Sequence, residues 1–318
     1  MHAVSIIIPM RNAEAWIDAT LRSLLVQLDE LEVIVVDDGS SDRSAAVVQA
    51  VGDQRIRLIP GPRRGISAAF NAGLASAGGE YACRCDADDL YPRGRLADQR
   101  TFLDLNPEYG AVCGSYTTID PSGRRVADHF ADCPPGDITD EILSGRSRSH
   151  MCAYLFRTAL LREIGGCREW FVTSEDADLQ YRLAEVTRIA FDPRCAYLYR
   201  LHDASITHAQ RSAQRKFYEA EARRFLEQRR RGQPDDLQRN APPPVPVHEE
   251  GHTSLSTDQQ IQELLLGQAW REHAGGRRRQ SVATGWRAVR SRPGSLKAWR
   301  SLVALLIKPS SRKIHTQA

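Results

Sequence analysis

Leu31-Glu32-Val33-Ile34-Val35-Val36-Asp37-Asp38-Gly39-Ser40 is the stretch whose reading decides the fold. A short, mostly β-branched run has the character of a buried strand, and it ends abruptly in carboxylates, glycine and serine. Before it, Val4-Ser5-Ile6-Ile7-Ile8 closed by Pro9 has the same character. Between the two, Trp16, Ile17, Leu21, Leu24, Leu25 and Leu28 recur at helical spacing. After it come a helix from about Arg43, a strand over 55–59 and an Ala-rich helix opened by Gly65 and ended at Gly78-Gly79. A strand over 81–85 and a helix over 92–106 follow. Strands alternating with helices through short loops predict an α/β fold with an open, mostly parallel sheet. Ligands of such sheets bind beyond the carboxyl ends of the strands.

Composition narrows the class. The 318 residues are 42% hydrophobic and 26% charged, as in ordinary globular proteins, which excludes collagen-like, disordered and disulfide-scaffold chains. The net charge of +3 hides an asymmetry. From Arg271 to Ala318 there are 12 Lys and Arg and one acidic residue, Glu272, giving +11, so the remainder carries −8. Such a tail suits nucleic acid, a membrane surface or an anionic partner. The seven cysteines are odd in number and contain no CxxC pair, so reduced core thiols and a cytosolic setting are expected. Neither a secretory leader nor a spanning helix is expected from the apolar runs.

Farther along, short strands are expected around 152–156, 188–191 and 196–201, with helices over 177–184 and 210–231. Residues 232–257, with Pro242-Pro243-Pro244 and Pro246, are expected to be an extended linker. Three short helices are expected over 258–273, 280–290 and 295–307.

Three constellations at strand ends carry chemistry. Asp86, Asp88 and Asp89 repel one another and invite a hard divalent cation, magnesium or manganese, with room for phosphate oxygens; an acidic helix cap is the alternative. Asp37 and Asp38 could accept hydrogen bonds from a base or ribose, or cap the following helix. Arg63-Arg64-Gly65 leading into Asn71-Ala72-Gly73 makes a natural phosphate or nucleotide site at a helix start, or a loop into a small-residue packing helix.

Taken in order, Val4-Ser5-Ile6-Ile7-Ile8-Pro9 with Asn12, Val35-Val36-Asp37-Asp38-Gly39-Ser40, Arg64-Gly65 through Asn71 and Gly73, and Asp86-Ala87-Asp88-Asp89 resemble the family 2 glycosyltransferases. The resemblance is strong over residues 3–115 and continues more weakly to about 205. Arg11 stands where the family often has an aromatic residue. The resemblance implies the GT-A fold: a Rossmann-like, mostly parallel sheet flanked by helices, here with a C-terminal helical extension. It implies a catalytic domain over 1–231, with a nucleotide-binding half at 1–115 and an acceptor-side half at 116–231. The Pro-rich linker would be 232–257 and the basic helical region 258–318.

It further implies that Pro9, Asn12, Asp37, Asp38, Arg64, Gly65, Asn71, Asp86 and Ala87 bind a nucleotide-diphosphate sugar. Asp88, Asp89 and His202 would hold Mn2+ or Mg2+. Ser174-Glu175-Asp176 resembles the family's Glu-Asp motif, with Asp176 as base and Glu175 beside it; helix initiation is the other reading. Trp170 could stack on an acceptor sugar or simply pack.

The implied activity is inverting, metal-dependent hexosyl transfer to a saccharide, lipid-linked or other hydroxyl acceptor in polysaccharide or glycoconjugate assembly. The alternatives are a sugar-nucleotide nucleotidyltransferase and an inactive nucleotide-sugar-binding scaffold. The first should carry a Gly-rich loop and lysine after the first strand, where Pro9-Met10-Arg11-Asn12 stands; a dehydrogenase lacks its GxGxxG for the same reason. Leu296, Trp299, Val303 and Leu306 share one helix face beside Lys297, Arg300 and Lys308. That face could rest on the inner surface of the cytoplasmic membrane or pack on protein. Arg277-Arg278-Arg279 lacks interleaved aromatics, so nucleic acid is not expected.

Overall fold

β1 (Val4–Met10) is buried along all seven residues and anchors the parallel half of the sheet. In the computed structural model, which describes residues 3–203, 212–246 and 256–309, β1 is followed by α1 (Ile17–Leu25), β2 (Leu31–Asp37), α2 (Ser44–Ala50), β3 (Ile56–Pro60), α3 (Ile66–Ser76), β4 (Tyr81–Arg84) and α4 (Arg95–Leu105). β1 pairs in parallel with β2, Met10 level with Asp37, and on its other side with β4, Ile7 level with Arg84. β3 extends this half beyond β2, Asp37 level with Pro60. Strands buried on both faces favour apolar side chains throughout, which is why β1 and β2 are almost wholly apolar; the buried exceptions, Ser5 and Glu32, hydrogen-bond each other at 2.7 Å. Burying each Ile or Val contributes roughly 1.5–3 kcal/mol.

The remaining elements are β5 (Tyr109–Ile119), β6 (Arg125–His129), β7 (Gly136–Asp137), α5 (Thr139–Leu143), β8 (Tyr154–Arg157), α6 (Thr158–Glu163), α7 (Glu175–Ala184), β9 (Arg188–Arg200), α8 (Ser212–Arg230), α9 (Thr257–Ala274), α10 (Arg278–Ser291) and α11 (Leu296–Ile307). The strand order is β3-β2-β1-β4-β8-β5-β9-β7, with β6 paired to β5. β8 lies antiparallel to both β4 and β5, and β7 antiparallel to β9, so the sheet is parallel on one side and antiparallel on the other. β1 connects outward to β2 while its other neighbour is β4. The crevice beyond their carboxyl ends is therefore a topological switch point, the usual ligand position in such sheets.

α3 covers β1 and β2 closely because Gly73 lets it: a Cβ there would stand 2.4 Å from Ile7 Cγ2 and 3.1 Å from Val36 Cγ2. The motif glycine is thus a packing residue. Among the cysteines, Cys83, Cys85, Cys113, Cys152 and Cys167 are buried and all seven are free thiols.

Contacts divide the chain into two units, of residues 3–116, 130–198 and 212–246 and of residues 117–129, 199–203 and 256–309. This differs from a division at 115, 231 and 257, because 117–129 and 199–203 group with the C-terminal helices. The linker expectation also changes. Asp235 is fully buried between Arg168 and Arg229, at 2.8 and 2.6 Å, so the segment just after α8 packs into the first unit. The part of the expected linker over 247–255 lies outside the described residues, as do 204–211 before α8. Where two strands were expected over 188–201, β9 is continuous; the Asp192-Pro193-Arg194 interruption is spanned by an Asp192–Arg194 ion pair of 2.6 Å.

The second unit buries Val126, Ala127, Leu201, Ile261, Leu265 and Ala288 against Val289, Ala298 and Leu302. α9 opens on a capping box in which the Ser256 hydroxyl accepts from Gln259 N–H and the Gln259 side chain accepts from Ser256 N–H. Among the described residues, no helix is long and apolar enough to cross a membrane.

Candidate active site

The register brings the ends of β1, β2, β3 and β4 to one edge, so the loops after Met10, Asp37, Pro60 and Arg84 share the switch-point crevice. Asp37 and Asp38, adjacent in sequence, do different work. Asp37 Oδ1 accepts from Ser40 N–H at 2.8 Å, closing the turn after β2. Asp38 is buried, and its two oxygens accept from the N–H groups of Arg63 (2.6 Å) and Gly65 (2.8 Å). These bonds pin a loop whose Arg63 and Gly65 have φ of 59° and 91°. With ψ of −179°, Gly65 occupies a region open in practice only to glycine. Asn12, at φ 52°, accepts from Ser41 N–H at 2.8 Å and donates its own N–H to Ser40 Oγ at 3.1 Å, fastening the β1 loop to the β2 loop. Pro9 is buried within β1 itself.

Arg64 is exposed and ion-paired to Glu169 at 3.0 Å. Asn71 departs from the sequence expectation. Its amide donates to Cys167 O (2.7 Å) and its oxygen accepts from Cys167 N–H (2.9 Å), so the side chain braces α3 on the loop before α7. Of the two readings of Trp170, the structure matches packing. The Trp170 ring lies 5.0 Å from the centroids of both Phe171 and Tyr218 and 5.7 Å from Phe225, inside an aromatic cluster that is part of the core.

The Asp86 turn is held from several sides. Asp86 Oδ1 accepts from Arg84 Nε at 2.7 Å, its N–H donates to Tyr197 Oη at 3.0 Å, and its carbonyl accepts from Asp89 N–H at 3.2 Å. Thr20 Oγ1 donates to Ala87 O at 3.0 Å. Asp89 does not cap the next helix: α4 starts at Arg95, and the capping position before it is Gly94 in the left-handed region. Asp89 is buried, whereas Asp86 and Asp88 are half-exposed.

The same Arg84 reaches across to α7, where Nη1 lies 2.8 Å from Glu175 Oε1. Arg84 is itself only 4% exposed. Burial alone would lower its pKa, but Asp86, Cys152 and Glu175 raise it well above the usual arginine value. Its charge is therefore fixed. Next on α7, Asp176 is raised to about 6, first by burial and then by the neighbouring Glu175 carboxylate; Arg84, Arg215 and the Ala177 N–H bond oppose the rise. Ser174 enters the helix in the left-handed conformation, φ 59°, so the backbone is tightly turned just before the pair.

Residues not found from sequence complete the setting. Tyr116, His150 and Tyr197 form an edge-to-face series, with centroids 4.8 and 4.9 Å apart. Tyr116 is raised by burial and, more weakly, by Asp176, and lowered by Arg215. The available signal was Arg84: an arginine between two cysteines in an otherwise apolar strand must be paired. His202 follows β9 in the second unit, where it is buried.

For a divalent ion the donor set decides the fit. Among the described residues, no group of three or more His, Cys, Asp or Glu side chains could hold a metal by itself. One of the half-exposed pair, Asp86, already shares an oxygen with Arg84. One or two carboxylates with open positions suit Mg2+ or Mn2+ carried by a diphosphate, rather than an all-protein cage.

The Glycosyl transferase family 2 profile matches residues 5–165, just over half of the chain, which therefore belongs to that family. An uncharacterised glycosyltransferase of Rickettsia felis is 30% identical over 206 residues, covering 63% of this chain but 34% of that protein; this chain thus spans about a third of that relative's length. S. aureus TarS 1–349, solved with UDP-GlcNAc, superposes with TM-score 0.61 at 20% identity over 96% of this chain and 79% of that one. The mannosyltransferase PcManGT of Pyrobaculum calidifontis, solved with GDP-Man and Mn2+, superposes with TM-score 0.54 at 21% identity over 95% and 78%. At these identities the two structures establish the GT-A fold.

Proposed function

We propose that the protein is an inverting glycosyltransferase that moves a sugar from a nucleotide-diphosphate donor to an acceptor hydroxyl in polysaccharide or glycoconjugate assembly. The observation that carries this reading is the Arg84 bridge, which holds Asp86 at the donor-side strand end and Glu175, next to Asp176, on one guanidinium. The switch-point crevice receives the nucleotide among the Pro9–Asn12, Asp37–Asp38 and Arg63–Gly65 loops. Its membership of family 2 and the nucleotide sugars bound by its structural neighbours support a donor of this class.

Asp176 accepts the proton of the acceptor hydroxyl. The freed oxygen bonds to the anomeric carbon from the face opposite the diphosphate, and the carbon–oxygen bond to the diphosphate breaks with its electron pair leaving on phosphate. One displacement inverts the anomeric centre. A carboxylate near pKa 6 is ionised at neutral pH yet basic enough to take that proton. Arg84 fixes the turn and the helix end that must face each other. Asp86 and Asp88 would hold Mn2+ or Mg2+, which supplies Lewis-acid stabilisation of the departing diphosphate. Asp89, in the same turn, is assigned to this metal-side group from the family resemblance alone. The setting proposed is cytoplasmic, with peripheral contact to the membrane through the C-terminal unit.

Release of nucleoside diphosphate from a panel of sugar donors, with and without Mn2+, tests the reading. Metal-stimulated release that requires an acceptor is the expected result. Pyrophosphate formation from a sugar phosphate and a nucleoside triphosphate, or donor binding without turnover, would overturn it.

A further inference from the structure

α11 carries two apolar stripes, and only one is used for packing. Ala298, Leu302 and Leu305 are buried at 0–5% exposure and hold the helix on the second unit. Leu296, Trp299, Val303, Leu306 and Ile307 remain 41–74% exposed. At 100° per residue these five fall within an arc of about 100°. Trp286 of α10, 46% exposed, extends the patch: its ring lies 5.8 Å edge-to-face from Trp299. Trp299 donates its indole N–H to Pro293 O at 2.9 Å, so its one polar atom is satisfied while the ring stays open.

Charge says what fits this patch. Arg300 borders the arc, Lys297 follows on the polar side, and Arg279 and Arg290 are exposed on α10. After Arg271 there is a single acidic residue, Glu272, hydrogen-bonded by the Thr284 hydroxyl at 2.8 Å, and Glu263 of α9 pairs with Lys297 at 3.4 Å, so the cations around the patch outnumber the carboxylates near it. A second copy meeting the same face would set cations against cations, which disfavours a symmetric pair. A contiguous apolar patch with tryptophans, rimmed by Lys and Arg, matches an anionic bilayer interface, where side chains enter the acyl boundary and cations meet headgroups.

We propose that this α10–α11 face is a docking surface for an anionic lipid bilayer, with the Trp286–Trp299 pair as its apolar anchor. The inference rests on the peripheral contact proposed above and gives it a defined surface; it does not depend on which sugar is moved.

The test is co-sedimentation of the full chain with vesicles of phosphatidylcholine containing about 30% phosphatidylglycerol, against phosphatidylcholine alone. Binding to the anionic vesicles that weakens with salt is expected. Val303→Glu combined with Ile307→Glu should reduce it at least about tenfold, and Lys297→Glu combined with Arg300→Glu should do the same. All four positions are exposed, and far-UV circular dichroism checks that each variant is folded. No binding to anionic vesicles, equal binding to neutral ones, or full binding by both folded variants would overturn the proposal. A concentration-dependent dimer that either variant dissociates, without vesicle binding, would give the face to a second copy instead. Donor turnover with a soluble acceptor, measured on the same proteins, separates the two readings. Failure of the parent protein to bind anionic vesicles, with its turnover intact, sinks only the docking surface, whereas parent binding without any turnover sinks only the transferase.

Discussion

Arg84 Nη1 lies 2.8 Å from Glu175 Oε1, joining the end of β4 to the first residue of α7 across 91 positions of sequence. The pair is nearly dry, and the same guanidinium holds Asp86 at 2.7 Å. Replacing Arg84 with Leu leaves Glu175 without its counter-charge. Breaking a buried pair in this way costs about 3–5 kcal/mol, and the half-exposure of Asp86 favours the lower end. Lys keeps the charge but not the fork, so Arg84→Lys should recover part of the loss. Urea denaturation midpoints for the three proteins measure this. A Leu variant as stable as the parent would show that the clamp carries no load.

Asp176→Asn should lower kcat by about 10²–10⁴-fold while leaving the donor KM within about twofold, because it removes a proton acceptor and little donor contact. The parent rate should rise with pH through about 6. Stability runs the other way. The folded pKa, near 6, lies above the ordinary carboxylate value, so the native state binds this proton more tightly than the unfolded chain. That contribution is complete below about pH 4 and is lost as pH rises through about 6. The Asn variant should therefore be more stable than the parent at pH 8, by up to about 3 kcal/mol, and equal to it at pH 4. Equal midpoints at both pH values would contradict the raised pKa.

Trp170→Ala separates packing from acceptor stacking. With its ring against Phe171, Tyr218 and Phe225, truncation should cost about 3 kcal/mol through the cavity it leaves. Acceptor KM at low temperature, where the variant stays folded, should be unchanged. A raised acceptor KM with unchanged stability would return Trp170 to the acceptor site.

The parallel half of the sheet was legible because strands buried on both faces cannot hide their composition: β1 and β2 contain almost nothing else. β5 was not legible. Its Tyr109–Ile119 run mixes glycine, threonine and serine, and Gly114 is there because a Cβ would stand 2.6 Å from that of Ala196, a neighbour visible only after folding. At the site, motif order gave the correct strand ends but not the division of labour. Asp37 and Asp38 look equivalent in a line of text; only the return of the 63–65 loop makes one of them its anchor. Asn71 looked like a ligand residue because nothing in its own helix predicts the arrival of Cys167. In α11 the periodicity was plain, yet which of its two apolar stripes stays open depends on the helices beside it.

The part of the expected linker that packs, around Asp235, supplies the last prediction. Asp235 stands between Arg168 and Arg229, and Arg168 also faces Asp178 at 3.6 Å, which Arg182 holds at 2.8 Å. This chain of ion pairs ends on α7, the helix that carries Asp176. Burial alone would raise the Asp235 pKa, but Gln238 N–H, Arg229 and Arg168 bring it below the ordinary carboxylate value. Its contribution to stability is thus present above that value and lost as pH falls through the lowered one. Asp235→Ala leaves two largely buried guanidiniums short of a partner, at a cost of about 3 kcal/mol. Because α7 loses a brace rather than a ligand contact, kcat should fall while donor KM holds. The same substitution at the neighbouring exposed Gln233 should change neither. A truly extended linker would make the two variants indistinguishable, and urea midpoints alone would reveal it.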